Sequence, residues 1–197
     1  MKLIKFFPVV LFLFMVTNLQ AQEEFLDEEN GLSLGLASGV ETSFGLSFKS
    51  HDGFLVSAHM TEGDGYSLYG ATLGSYFIKA SSFNALVAVS YSVLKAPGTA
   101  SDFYASNVKK HIGGLHLGFM QKFLCNTSFP MSIGLNASGV YFEYPVISAG
   151  ASFTQAFFAK SRVYPLVGVH YNHPLNAEYY GNTKGAFNLF FGFNIRI

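Results

Sequence analysis

Tryptophan is absent from these 197 residues, cysteine occurs once, and charged residues make up only 12% of the chain. Each scarcity excludes something. A single Cys125 cannot form an internal disulfide, so a stapled secreted scaffold is ruled out. Twelve basic and twelve acidic residues balance to zero, which removes the electrostatic case for a nucleic-acid partner. A soluble domain carries about 25% charged residues, twice the value here. Long apolar runs are also missing: beyond residue 21 nothing approaches the roughly 20 residues that a membrane helix needs.

Yet half of the residues are hydrophobic. High apolarity without long runs means that large apolar residues are interleaved with small and polar ones, as a strand wall requires. From Leu32 to Phe48 the even positions read Leu, Leu, Leu, Ser, Val, Thr, Phe, Leu, Phe, and the odd positions hold Ser, Gly and Ala with Glu41 as the only charge. A helix would scatter these leucines around its circumference, and each glycine would cost it about 1 kcal/mol. The last strand, Ala186 to Ile197, places Phe187, Leu189, Phe191, Phe193, Ile195 and Ile197 on one face. Phe190 is the only large apolar residue on the other.

The N-terminus reads as an export signal over residues 1–21. Lys2 and Lys5 form a basic start, Phe6 to Val16 an apolar stretch broken by Pro8, and Ala21 a small residue suited to cleavage. A short lead, 22–30, follows, and residues 31–197 form a single barrel domain by length. Nine segments are visible, whereas bacterial barrels have even strand numbers. Eight is the preferred count, since a crossing takes about 9 to 11 residues and half of Leu32 to Phe48 is barely enough. Ten is the alternative, reached if that stretch is two strands bent near Gly39 to Thr42. The expected fold is therefore an all-β, closed, antiparallel up-and-down transmembrane barrel. The long connections 94–108 and 173–185 fall on the outer side.

The face opposite the apolar one separates a membrane barrel from a soluble ligand-carrying barrel. A water-facing exterior should be about 25 to 35% charged, whereas this face is small and almost uncharged, as suits a narrow lumen. Tyr66, Tyr76, Tyr91, Tyr141, Tyr144, Tyr164 and Tyr171 lie near strand ends, where interfacial girdles would place them. With these patterns, Asn18-Leu19-Gln20-Ala21-Gln22 at the cleavage site, Tyr164-Pro165-Leu166-Val167-Gly168-Val169 and the terminal Gly192-Phe193 resemble the small outer-membrane β-barrel proteins of Bacteroidota type, the OmpX/OmpW-like or PorT-like barrels. The resemblance implies an outer-membrane location, surrounding lipid, and insertion by the barrel-assembly machinery. The terminal Ile197 departs from the aromatic on which such barrels often end.

Chemistry is sparse. His116 and His170 share the inward phase with Ser132, Ser138, Ser148 and Ser152, so a Ser–His pair for lipid hydrolysis is conceivable. His170 and His173 are three apart, and His111 and His116 five, so each pair is split between opposite faces and makes no metal site. The stretch Pro174 to Gly181, with Tyr179 and Tyr180, could hold an extracellular ligand or protein, though girdle tyrosines are the simpler reading. No catalytic, cofactor-binding or metal residues are assigned. The expected role is structural, adhesive or interactive, with a lumen filled by side chains. A lipid hydrolase, a narrow pore and a soluble carrier stand as alternatives.

Overall fold

Alternation of large apolar with small or polar residues gives strands with two chemically different faces, and a sheet built from them can close on itself. The computed structural model describes residues 30–38, 42–63, 66–95, 109–142, 144–176 and 185–197. The strands are β1 (Gly31–Ser38), β2 (Thr42–Lys49), β3 (Phe54–Gly63), β4 (Tyr66–Lys79), β5 (Phe83–Lys95), β6 (Lys109–Phe123), β7 (Met131–Phe142), β8 (Tyr144–Ala156), β9 (Val163–Pro174) and β10 (Ala186–Arg196). Each pairs antiparallel with its neighbours in sequence, and β1 closes the barrel on β10 from Gly31↔Arg196 to Ser38↔Leu189.

The barrel thus has ten strands, not the preferred eight. The difference lies in Leu32 to Phe48, where β1 and β2 pair from Gly31↔Lys49 to Ser38↔Thr42. Eight residues suffice for each strand, because both ends of this hairpin are held laterally, by β10 and by β3.

The outward set is apolar around the whole circumference. Leu36, Phe44, Val56, Leu73, Val89, Leu117, Leu135 (61% exposed), Phe153, Val167 and Leu189 (68% exposed) point away from the barrel. An exposed apolar surface of this extent is incompatible with water and defines a lipid-facing wall. The inward set is mixed and buried: Ser33, Thr61, Ser92, Ser132, Thr154, His170 and Asn194 lie at or close to zero exposure, and so do the apolar Leu55, Leu68, Ile112 and Leu166.

The tyrosines expected in interfacial girdles divide between the two faces of the wall. Tyr91 and Tyr141 are exposed, and Tyr171 points outward in contact with Phe187, their ring centroids 4.6 Å apart. Tyr76 and Tyr164, however, face the lumen and are buried. Both sit in the inward phase of their strands, so proximity to a strand end misplaced them. The side chains of Tyr66 and Tyr144 lie outside the described residues.

The turns 50–53, 80–82, 124–130 and 157–162 lie at the same end as the start of β1 and the end of β10. This terminal end is knit together by Asn30, whose carbonyl accepts from the Ile197 amide (2.9 Å) and whose Oδ1 accepts from the His51 amide (2.8 Å). Gly53 closes the first of these turns at φ +87°, where a side chain would be strained. The connections expected to be long lie at the opposite, loop end.

Candidate functional site

The buried polar side chains of the described strands lie inside the wall, and their chemistry changes along the barrel axis. Near mid-barrel, His59 of β3 reaches across β4 to Ser92 of β5, with Nε2 3.2 Å from Oγ. Gly70 is the register partner of both residues, and its missing side chain leaves the space that the imidazole crosses. On the next strand pair Ser90 Oγ lies 2.7 Å from His116 Nε2. Here Gly114, the partner of Ser90, provides the opening: a Cβ on it would fall 2.6 Å from Ser90 Oγ and 2.9 Å from His116 Nε2. Across the lumen Ser138 and Ser148 are hydrogen-bonded at 2.9 Å, and Asn172 Nδ2 donates to Ser148 at 3.3 Å.

The structure therefore pairs His116 with a serine that pattern reading did not single out. Ser138 is the register partner of His116, yet its hydroxyl is bonded to Ser148. Ser152 stands opposite His170 in register. Ser132 is inward and buried near the terminal end, as the cross-strand partner of Lys122. His111 and His173 point outward, His111 against Tyr91 and His173 stacked on Tyr171 with ring centroids 6.4 Å apart. Among the described residues no group of three or more His, Cys, Asp or Glu could share a metal ion.

A serine hydroxyl beside an imidazole is the first requirement for a nucleophile and its base. A second requirement is access for the substrate. Ser90 is 8% exposed and His116 1%, and both face the lumen, with the wall between them and any lipid acyl chain. Each satisfies a hydrogen bond of the other inside the wall.

At the terminal end the lumen becomes cationic. Lys49 is fully buried, with Nζ 5.0 Å from the Tyr76 ring centroid. Arg196 lies over Tyr164 at 5.5 Å, and Tyr164 accepts at 3.2 Å from Asn194 Nδ2, whose Oδ1 accepts from Ser33 at 2.6 Å. Oriented to satisfy its neighbours, the Asn84 amide donates to the Phe83 and Ala80 carbonyls and accepts from Lys122 Nζ at 3.3 Å. A cation over a tyrosine face gains about 0.5 to 2 kcal/mol, more as it is desolvated. The two lumenal tyrosines thus act as supports for cations.

Ten strands closed around a polar lumen, with lipid-compatible residues outside, define a membrane β-barrel. No protein-family model and no curated protein matches the chain. Among solved structures it is similar to the NanC porin, at 10% identity and a TM-score of 0.47 over 85% of this chain and 100% of that one. It is also similar to the KdgM porin, at 9% identity and 0.44 over 85% and 99%. The N-terminal β-barrel domain of Pseudomonas aeruginosa OprF gives 9% identity and 0.37 over 87% and 98%. The assignment to a membrane barrel rests on the wall itself.

Proposed function

We propose that this protein is a non-enzymatic outer-membrane β-barrel whose lumen is closed by its own side chains and which serves a structural, adhesive or interaction role at the membrane surface. The observation that carries this reading is the burial of inward side chains along the whole axis, from Asn194 and Ser33 through His116 and Ser92 to Thr61 and Asn172. A diffusion pore leaves such residues in contact with water. The export signal over residues 1–21, and the Bacteroidota-type resemblance of the cleavage site and terminal strand, support the outer-membrane location. Recognition would then fall to the connections at the loop end; most of 94–108 and 173–185, with Tyr179 and Tyr180, lies outside the described residues.

Planar-bilayer recordings of the purified barrel test the closed lumen, with no resolved conductance steps expected. Regular steps would replace this reading by the narrow pore, to which a ten-strand wall has more room than an eight-strand one. Heat-modifiable gel migration and recovery in the outer-membrane fraction after carbonate extraction are expected as well, and loss of both would return the soluble carrier. An unchanged lipid A mass in cells with and without the protein is expected; a change would return the lipid hydrolase.

A further inference from the structure

Toward the loop end the lipid-facing surface of β4 to β7 stops being aliphatic. Leu73, Val89, Leu115 and Leu135 give way to Tyr69, Tyr91, Lys95, His111 and Tyr141, all exposed on the outward face. Register gathers these residues around His111. Its cross-strand partner on β5 is Val93, so Tyr91 and Lys95 are its diagonal neighbours there, and Tyr141, the partner of Gly113, is its diagonal neighbour on β7. Diagonal positions on one face lie about 7 to 8 Å apart, within reach of long side chains.

Two features of this patch call for a ligand with two chemically different parts. The first is its donors. Tyr91 Oη and His111 Nδ1 are hydrogen-bonded, and with the hydroxyl donating, the imidazole carries its proton on Nε2, which leaves an N–H donor on an exposed ring. A lysine that merely snorkels extends past the rim toward water. Lys95 instead folds back over Tyr69, with Nζ 4.8 Å from the ring centroid, and Tyr69 is the partner of Val93, two residues nearer to mid-barrel. Glu62, two strands away on β3, accepts from Ser67 at 2.9 Å. A cation and an N–H donor side by side suit an anion, and on a lipid-facing wall that anion is the phosphate of a headgroup.

The second feature is a notch. A Cβ built on Gly113 or on Gly139 meets nothing within 4 Å. Gly113 stands between Tyr91 and Tyr141 in register, and its diagonal neighbour Gly139 stands between Leu115 and Ile147. The opening therefore begins between two exposed tyrosines, beside the donors, and runs toward mid-barrel along an apolar wall.

We infer that the outward face of β5 to β7 at the loop end is a site for one phosphorylated lipid, with its phosphate held by Lys95 and His111 and an acyl chain lying in the notch over Gly113 and Gly139. The site rests on the membrane barrel and not on the closure of the lumen, so bilayer conductance and lipid retention fail independently.

The test is native mass spectrometry of the protein released from detergent micelles after incubation with dimyristoyl phosphatidic acid, or with dimyristoylglycerol, which has the same chains and no phosphate. One phosphatidic acid retained per barrel is expected, and no diglyceride. Lys95→Gln with His111→Gln should weaken retention about tenfold or more, the scale of a lost hydrogen bond to a charged group. Gly113→Leu, which fills the notch and leaves both donors in place, should weaken it as well. Heat-modifiable migration verifies that each protein is folded. Its loss in the unsubstituted protein would sink the barrel itself, whereas intact migration without retained phosphatidic acid would overturn this site alone. Equal retention of the diglyceride would overturn phosphate recognition, and retention unchanged by the double substitution would overturn the placement at Lys95 and His111. Displacement of the lipid by an equal concentration of glycerol 3-phosphate would make this a site for free phosphate and overturn the lipid assignment.

Discussion

Ser90 and His116 meet across the β5–β6 pair at 2.7 Å over Gly114, the register partner of Ser90, whose missing side chain leaves the room. The contact shows how space inside the wall is filled at this level: Ser90 leans over a glycine on the next strand, and the bridge satisfies Ser90 Oγ and His116 Nε2. Gly114→Ala should therefore be more damaging than Ser90→Ala. Overpacking costs about 1 to 3 kcal/mol, against about 0.5 to 1.5 kcal/mol for a single neutral hydrogen bond. Urea midpoints of folding into lipid vesicles, read by tyrosine emission and gel migration, would rank the two variants. The reverse order would mean that the bond, and not the space, governs this level of the lumen.

Phe190 fills space inside the wall in the same way with an aromatic ring. It is the large apolar residue on the inward face of β10, buried with Ala37, Ala156, Ala159, Tyr164 and Leu166, and its ring lies over Gly168. Phe190→Ala is expected to destabilise the barrel by about 3 to 5 kcal/mol, since the lumen wall can collapse only partly into the space. Gly168→Ala drives a methyl group into the ring and the Phe153 carbonyl and should also destabilise. Combined with Phe190→Leu, part of that loss should be recovered. A purely additive double mutant would show that the two sites do not touch in the folded barrel.

On the outer surface Leu135, near the middle of β7, is 61% exposed to the surrounding phase. Leu135→Arg should cost about 2 to 4 kcal/mol in a bilayer, whereas Phe123→Arg, at the terminal rim of β6, should cost about 0 to 1 kcal/mol. Comparing folding midpoints in vesicles of one lipid composition checks the gradient. Equal costs at both positions would contradict a lipid-facing wall whose midplane runs through Leu135.

Much of this architecture was legible because alternation reports which side of a wall a residue occupies. The inward placement of His116, His170 and the four candidate serines follows from phase alone, as does the separation of His170 from His173. Pairing is a different matter, since it depends on register. The contact of Ser90 with His116 is set across the β5–β6 connection, whose length does not reveal which residues face each other. Tyr76 and Tyr164 were misplaced for want of using phase: Val163, Val167 and Tyr171 mark the odd positions of β9 as outward, so Tyr164 must point in. The cationic mouth became visible only when closure brought Lys49, Lys122 and Arg196 to one end.

The strand number was hidden for a specific reason, which also supplies its test. In the β1–β2 hairpin, partners such as Leu36 and Phe44 have numbers that sum to 80, an even value, so the outward positions are even on both strands. The reversal leaves the alternation unbroken, and one long strand and a tight hairpin produce the same pattern. Geometry distinguishes them sharply. Cross-strand partners lie about 5 Å apart at Cα, whereas eight residues along a single strand span about 26 Å. A disulfide requires Cα atoms within about 7 Å. In a Cys125→Ser background, Leu36→Cys with Phe44→Cys should therefore crosslink on mild oxidation, giving a reduction-sensitive shift in gel mobility. Leu36→Cys with Phe48→Cys, off register by four residues, should not. Crosslinking of neither pair within one chain would remove the hairpin, and with it the count of ten.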